Sequence, residues 1–356
     1  MNHQPSTGND LDERREQVSG YDVRRVQPHL RFGTASDRYA GWIGQVYAER
    51  FANHTRRRKR TLGGKTFEER QVPIASVGDY FDHFSVLELD FTFYNPLLDE
   101  DGKPAQSSFF PLQQYAEEAP DDALFLVKAP QAYFARKLYR GGDYVPNDDF
   151  LDADAYTRRF HEPVREVLGE RLAGIIFQQE YQRVADSPNP DANVEALEGF
   201  FSAIPHDDVP VHLELRSEHL LTPNYFDWLE ERGLGFVFSH WTWLPAIREQ
   251  WKKAGERFSA ASDEAVTRLL TPRDVKYAEA YAMAHPFDAP VPEIAETDQA
   301  RDMVLDATAL AYQAAEQNAT LNVVCNNRAW GNAPDLARTI GGRILDEEEK
   351  RRTNDE

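Results

Sequence analysis

The sequence predicts an α/β protein built as a single (β/α)8 TIM barrel, with loop insertions and charged terminal tails. Three observations favour this fold: eight short runs rich in β-branched and aromatic residues, amphipathic segments between them, and polar residues at the ends of the runs. The chain has 356 residues, 41% of them hydrophobic, which suffices for a barrel of about 250 residues with insertions. An open, doubly wound sheet is the alternative that the same alternation allows.

The eight runs are interpreted as strands because each is short and rich in residues that suit a pleated sheet. They cover residues 30–33, 86–90, 124–128, 173–178, 211–216, 235–239, 266–270 and 321–326. Between them, apolar residues three and four positions apart predict helices around 197–204, 225–229 and 304–311. Gly233 follows the second of these helices and is a typical helix stop. Strand then helix, repeated along the chain, is the pattern of a parallel barrel.

The ends of the chain differ from its middle in composition. Residues 1–28 hold few large apolar side chains and many charges, so we expect a flexible N-terminal arm. The barrel is assigned to residues 29–345 and a charged C-terminal tail to residues 346–356. Residues 53–73 and 97–111 are interpreted as two long loops of the barrel.

The loop at 53–73 contains a basic run, Arg56 to Arg60, followed by Gly-Gly-Lys-Thr at 63–66. The basic run could bind nucleic acid or phosphate, or it could be a solvated insertion on an acidic protein. The Gly-Gly-Lys-Thr segment looks like the end of a phosphate-binding loop, but the earlier glycine that such a loop requires is missing. We therefore exclude a P-loop.

Charge and cysteine content restrict the classes of function. The chain has 40 Lys and Arg against 60 Asp and Glu, and a net charge of -20 counts against a protein that coats duplex nucleic acid. The single cysteine, Cys325, cannot form an internal disulfide or a thiolate zinc site. The polar N-terminus has no signal-peptide core, and no apolar run approaches about 18 residues. We expect a cytoplasmic protein that makes no membrane contact.

Polar residues end or directly follow the predicted strands, where barrels carry their chemistry. They are Glu88, Asp90, Lys128, Gln178, Glu214, Arg216, Arg268, Asn326 and Asn327. The two-residue period of a strand points Glu88 with Asp90, and Glu214 with Arg216 and His212, towards the barrel axis if the leucines between them face the helices. Buried charges are costly unless they are paired or line a wet functional space. We therefore expect a pocket here, with structural Glu–Arg pairing as the alternative.

Two motifs carry a resemblance to a known family. Residues 87–96 read Leu-Glu-Leu-Asp-Phe-Thr-Phe-Tyr-Asn-Pro and residues 326–334 read Asn-Asn-Arg-Ala-Trp-Gly-Asn-Ala-Pro, with shorter matches at each strand between about 30 and 340. The chain thereby resembles the DUF72 family, the YecE-like barrels, which implies a TIM barrel with a strand-end site and no established reaction. Asp90 stands where the family usually has Asn, and several loop residues after the strands differ. We infer a divergent member, whose ligand need not be the family's.

The residue types at the strand ends predict the chemistry of a ligand. Glu88 and Glu214 are the candidate catalytic acid and base, if burial separates their pKa values. The candidate ligand-binding residues are Asp90, Tyr94, Lys128, Gln178, Arg216, Arg268, Asn326 and Asn327. Carboxylates, amides and aromatic rings suit a polyhydroxylated ligand, and Arg and Lys suit a phosphate or carboxylate on it. We predict an enzyme or a binding protein for a small anionic or sugar-like metabolite, without a cofactor.

Three alternatives stay open. His212 and His240 could join the two glutamates around a divalent metal, although no spaced metal motif is present. A nucleic-acid-binding barrel resembling the abasic-site endonuclease folds would use Arg56 to Arg60 on the backbone. A barrel without catalysis could sense a ligand. Within the pocket, we expect Glu214 to pair with Lys128 or Arg268, and Arg216 with Glu88 or Asp90.

Overall fold

A computed structural model describes residues 8–206 and 209–355 of the chain. Its strands within those residues are β1 Leu30–Ala35, β2 Arg56–Leu62, β3 Lys65–Gln71, β4 Val86–Leu89, β5 Leu124–Lys128, β6 Lys137–Arg140, β7 Asp143–Pro146, β8 Leu172–Gln179, β9 Val211–Leu215, β10 Gly235–His240, β11 Glu264–Leu269 and β12 Thr320–Cys325. The helices are α1 Gly8–Ser19, α2 Val77–Phe81, α3 Phe109–Glu118, α4 Gln131–Phe134, α5 Ala153–Tyr156, α6 Glu162–Leu168, α7 Pro190–Phe201, α8 Pro223–Arg232, α9 Ile247–Lys253, α10 Tyr277–Ala284, α11 Pro292–Ala295, α12 Asp298–Glu316 and α13 Ala333–Asp355.

Eight parallel strands close into a barrel in the order β1, β12, β11, β10, β9, β8, β5, β4, and β4 pairs back to β1. Each of these strands overlaps one of the eight predicted runs, so the barrel is confirmed and the open sheet was wrong. Leu87, Leu89, Leu213 and Leu215 belong to the large core that packs against the helices. Their neighbours in sequence therefore face the barrel axis, as the two-residue period predicts.

The segment at 53–73 is a β-hairpin, β2–β3, where the sequence predicted an irregular loop. Its two-residue turn consists of Gly63 and Gly64, whose φ angles are +56° and +77°. Such a turn needs positive φ at both central positions, so two glycines select it. A second hairpin, β6–β7, turns in the same way at Gly141 and Gly142. The hairpins follow β1 and β5 and therefore stand at the carboxyl ends of the barrel strands.

The N-terminal segment is packed, in place of the flexible arm expected at residues 1–28. From residue 8 the chain forms α1, which lies against α13, and Leu11 and Val18 are buried. Val23 and Val26 are each 1% exposed in the connection to β1. The apolar residues of this segment are few and widely spaced, which is why their composition indicated an arm. Residues 1–7 of the expected arm lie outside the described residues.

The C-terminal segment at 346–356 continues α13 as far as Asp355, where a separate charged tail was expected. Its charges face α1: Arg14 Nη2 lies 2.8 Å from Glu348 Oε1, and Arg15 Nη2 lies 2.9 Å from Glu349 Oε2. The charged residues that indicated two loose ends thus pair with one another. Among the helices in the described ranges, none combines the length and the apolar character needed to cross a membrane.

Candidate functional site

Seven inward-facing residues form an apolar layer across the barrel. They are Ala35, Val86, Leu126, Ile176, Val237, Val266 and Val324. Further along the strands, at their carboxyl ends, lies a second layer, the upper polar layer: Glu88, Lys128, Gln178, Glu214, Ser239, Arg268 and Asn326. Each of these seven residues is 7% exposed or less. The structure therefore brings six of the sequence-predicted site residues into one layer, together with Ser239.

Arg268 holds both carboxylates of the upper polar layer. Its Nε lies 2.7 Å from Glu88 Oε2 and its Nη2 lies 2.6 Å from Glu88 Oε1. Its Nη1 donates to Glu214 Oε2. The guanidinium is planar and presents its donors as a fork, so a single arginine can bridge two carboxylates on opposite sides of the barrel. The expected pairing of Glu214 with Arg268 is present.

The remaining oxygen of Glu214 is also occupied. Glu214 Oε1 accepts from Arg216 Nε at 3.2 Å and from Ser239 Oγ at 3.1 Å. Burial opposes ionisation, but the positive charges of Arg216 and Arg268 outweigh it and lower the pKa of Glu214 to about 2. A carboxylate that stays ionised cannot donate a proton at neutral pH. Both Glu88 and Glu214 are thus ion-pair partners of arginine, and their assignment as the catalytic acid and base stays a prediction.

Arg216 pairs with its own strand neighbour, where a partner on another strand was expected. It contacts Glu214, its Nη2 donates to Gln178 Oε1 at 2.8 Å, and its guanidinium lies 4.3 Å from the centre of the Trp241 ring. Residues two apart on a strand face the same side, and a long arginine side chain can fold back over that distance. The prediction that Arg216 pairs with Glu88 or Asp90 was wrong.

Lys128 differs from the two arginines of the site. Within the described part of the chain, its ammonium forms no ion pair: Nζ donates to Gln178 Oε1 at 2.6 Å and lies 3.8 Å from the centre of the Phe93 ring. Lys128 as a residue is 6% exposed. Burial first, and then the charge of Arg268, lower the pKa of Lys128 to about 7.

A cavity of about 900 Å³ lies beneath the β2–β3 hairpin, bounded by the segments after β1 and β4 and by residues 285–288. Of the predicted site residues, Asp90 and Tyr94 line it. The Asp90 side chain has no hydrogen bond or ion pair with any described residue, and burial, followed by the charge of Glu88, raises its pKa. Arg38, Arg58 and Tyr39 add cations and an aromatic ring to the lining.

Asp37 is a site residue that the sequence reasoning missed. It is 1% exposed, its Oδ1 accepts from the Tyr115 hydroxyl at 2.5 Å, and its Oδ2 has no partner in the described structure. Burial raises the pKa of Asp37 to about 6. Tyr115 lines the cavity and Asp37 lies behind it. Asp37 lies two residues after Ala35, the last residue of β1. Extending the two-residue period of β1 past its end would have predicted that Asp37 faces inwards.

Aromatic residues stand around the mouth of the barrel. Tyr181, after β8, stacks on Trp243, after β10, with ring centres 5.2 Å apart, and both rings are about half exposed. Tyr94 is 58% exposed at the edge of the cavity. Exposed rings of this kind can stack on an apolar face of a ligand. Of these three rings, Tyr94 is one of the candidate ligand-binding residues named from the sequence.

Asn326 and Asn327 face different directions. Asn326 belongs to the upper polar layer, and its Oδ1 accepts from the backbone N–H of Arg328 at 3.0 Å. Asn327 Oδ1 instead accepts from Trp42 Nε1 at 3.2 Å and from the backbone N–H of Ala333 at 2.8 Å, at the start of α13. The expected ligand-binding role of Asn327 therefore changes to an anchor for α13.

The two histidines considered for a metal occupy separate surroundings. His212 is fully buried in the barrel, where a Cβ on Gly235 would lie 2.1 Å from its Nδ1, and burial lowers its pKa to about 4. His240 Nδ1 lies 2.8 Å from the carbonyl oxygen of Thr271. Across residues 8–206 and 209–355, no group of three metal-binding side chains comes together. The upper polar layer is therefore described by its ion pairs, which join Arg268 to Glu88 and Glu214.

Comparison with known families identifies the chain. The family model described as "Protein of unknown function DUF72" matches residues 31–355. The chain belongs to the DUF72 family. The resemblance carried by residues 87–96 and 326–334 is thereby confirmed, and the match extends beyond them over almost the whole length. No curated protein matches the chain.

Two solved DUF72 structures are similar to this DUF72 protein in fold. One, from Thermotoga maritima, has 18% identity and a TM-score of 0.54, and the match covers 89% of this chain and 99% of that one. The other, from Enterococcus faecalis, has 14% identity and a TM-score of 0.51, covering 89% and 95%. At these identities the similarity concerns the fold, so the chemistry of the site has to be argued from its own residues.

Proposed function

We propose that this DUF72 barrel binds a small anionic, polyhydroxylated metabolite in the cavity beneath the β2–β3 hairpin. The observation that carries the proposal is an unpaired carboxylate, Asp90, in the same cavity as a cation, Arg58, that has no hydrogen bond or ion pair with any described residue. A volume of about 900 Å³ falls within the range of small-molecule sites. Asp90 would accept hydrogen bonds from ligand hydroxyls, and Arg58 would hold a phosphate or carboxylate.

The environment of the hairpin favours a small ligand over a nucleic acid. Acidic residues of β3 neutralise part of the basic run: Arg57 Nη1 lies 3.3 Å from Glu68 Oε1, and Arg60 Nη1 lies 3.2 Å from Glu69 Oε1. Binding along a phosphate backbone needs several unneutralised cations on one surface. The hairpin offers Arg58 to the cavity instead, which suits a single anionic group.

The proposal is tested by thermal shift and calorimetry with sugar phosphates and sugar acids. Arg58→Ala and Asp90→Asn should each weaken binding of the best ligand by at least about tenfold, the loss of one good polar contact of about 1.4 kcal/mol. Lys59→Ala is the matched control, because Lys59 is a cation on the same strand that does not line the cavity. Equal effects of Arg58→Ala and Lys59→Ala, or binding untouched by Asp90→Asn, would contradict the proposal.

A further inference from the structure

Lys128 is placed as a reactive amine would be. It ends β5 at the carboxyl edge of the barrel, where barrel enzymes hold their reacting groups. Both carboxylates of the upper polar layer are bound by arginine, so neither is left to hold an ammonium. The acceptor that Lys128 does have, Gln178 Oε1, is neutral and is shared with Arg216.

Lys128 also lies next to the lining of the cavity. Leu89 pairs with Val127 in the register of β4 and β5, which places Asp90 beside Lys128 at the next position. On β4, Asp90 continues the inward face of Glu88. On β5, Lys128 shares the inward face of Leu126. Asp90 lines the cavity, and the charge of Lys128 acts on its carboxylate, so the amine lies close behind the cavity wall.

We propose that Lys128 is a nucleophile that forms an imine with the carbonyl carbon of an anionic aldehyde, ketone or 2-oxo acid. The proposal rests on the proposed function, since it names the reactive group of the metabolite held in that cavity. Buried lysines beside other cations are the ones that serve as imine-forming amines. Here the buried cations are Arg216 and Arg268, on β9 and β11.

The chemistry balances with groups that are present. The lone pair of Lys128 Nζ attacks the carbonyl carbon, and a proton passes from nitrogen to oxygen to give a carbinolamine. Asp90, in its protonated form, gives its proton to the hydroxyl group, the C–O bond breaks, and water leaves. The products are an iminium ion on Lys128, one water and the Asp90 carboxylate. The iminium ion then draws electrons from the adjacent carbon, which makes a bond there easier to break.

The groups around the amine favour its uncharged form. Burial and the charge of Arg268 lower the pKa of Lys128, which leaves a large uncharged fraction near pH 7. The raised pKa of Asp90 keeps more of its carboxyl group protonated. Charged and polar groups face Lys128 from the neighbouring strands. They are Glu88 on β4 and Asp90 just after it, Gln178 on β8, Glu214 on β9 and Arg216 just after it, and Arg268 on β11.

The decisive experiment is reductive trapping on the full chain. The protein is treated with dihydroxyacetone phosphate, pyruvate or formaldehyde in the presence of cyanoborohydride, between pH 6 and pH 10, and the modified residue is mapped by mass spectrometry. We expect the adduct at Lys128 to form at lower pH than any other, with a labelling midpoint near pH 7, whereas an ordinary exposed lysine has a midpoint of about 10.4. Lys128→Met and Lys128→Arg should abolish this adduct, and Lys253→Arg should leave it intact.

The outcomes separate the two proposals. An adduct at Lys128 supports the imine. Formaldehyde reaches any accessible amine, so labelling at Lys128 that rises only near pH 10, or adducts confined to exposed lysines, overturns it. Glycerol 3-phosphate, which has no carbonyl group, is the parallel probe for binding alone. A thermal shift with that probe but no adduct at Lys128 leaves the proposed function standing and removes the imine; no shift with any anionic probe, and no adduct, removes both.

Discussion

The barrel contains two polar layers, one at each end, and they differ in how their charges are paired. The lower layer joins Arg31, Glu264 and Asn322: Arg31 Nη1 lies 2.8 Å from Glu264 Oε1, and Asn322 Nδ2 donates to Glu264 Oε2 at 2.8 Å. It holds one cation and one carboxylate. The site at the upper end holds three cations, Lys128, Arg216 and Arg268. The two arginines pair with Glu88 and Glu214, whereas Lys128 and the nearby carboxylate of Asp90 form no ion pair with any described residue.

The difference separates stability from function within one barrel. In TIM barrels the amino-terminal end of the strands serves stability and the carboxyl-terminal end serves ligand chemistry. A balanced pair satisfies itself, as Arg31 and Glu264 do. A buried cation without an ionic partner is unfavourable unless something offsets it, and this is the physical reason for proposing a chemical role for Lys128.

Arg268→Met tests the largest effect that the comparison predicts. It leaves Glu88 without a cation and Glu214 with Arg216 alone, and removing one partner of a buried pair costs about 3–5 kcal/mol. We expect that loss in the free energy of unfolding, measured with guanidinium chloride. Arg268→Lys keeps the charge but loses the planar fork, so its loss should be intermediate. A loss below about 1 kcal/mol for Arg268→Met would show that the upper layer is not held together by this arginine.

Lys128→Met should stabilise the protein, by about 2 kcal/mol at pH 6, because it removes a buried cation without an ionic partner. The sign follows from the lowered pKa. Below pH 7 both the folded and unfolded states carry the proton and the wild type bears the full penalty; between about 7 and 10.4 folding releases the proton, so wild-type stability rises with pH. Above that range both states are uncharged.

The measurement for Lys128→Met is chemical unfolding of wild type and variant from pH 6 to pH 10. The difference between them should be largest at pH 6 and shrink as the pH rises. Lys253→Arg, on the exposed surface, controls for the general effect of pH. A difference independent of pH, or a destabilised variant at pH 6, would place Lys128 among the structural cations.

Glu264→Gln tests the lower layer and should have the smallest effect, a loss of about 1 kcal/mol. Arg31 and Glu264 are 29% and 17% exposed at their side chains, so water screens the pair and solvates what remains. Asn322 also donates to the backbone of Ala265, which keeps it anchored. Thermal and chemical unfolding at pH 7 give the loss directly. A loss as large as that of Arg268→Met would remove the distinction between the two ends.

Local patterns were enough to predict the barrel and the direction of its site residues. The period of two in β4 and β9 fixed that Glu88 and Glu214 face inwards, and both do. The two Gly-Gly pairs at 63–64 and 141–142 are typical of tight hairpin turns, and excluding a P-loop at 63–66 does not by itself predict this hairpin.

The pairing within the site depended on contacts between distant parts of the chain. Glu88 and Arg268 are 180 positions apart, so no local rule states that one arginine binds both carboxylates and that Lys128 forms no ion pair with any described residue. The packing of α1 on α13 also depends on contacts between distant parts of the chain. Each of the two segments, taken alone, has the composition of a solvated tail.

Sequence patterns alone predict the fold class, the eight strands and which side chains point to the barrel axis. These follow from the alternation of a strand and the residue types along it, and both are local properties. The folded structure is needed to see which charges neutralise each other, that Asp90 pairs with no described residue, and that the hairpin after β1 covers a cavity next to Asp90. The physical reason is that a side chain's direction is set by its own backbone, whereas its partner is set by whatever the closed barrel brings within reach.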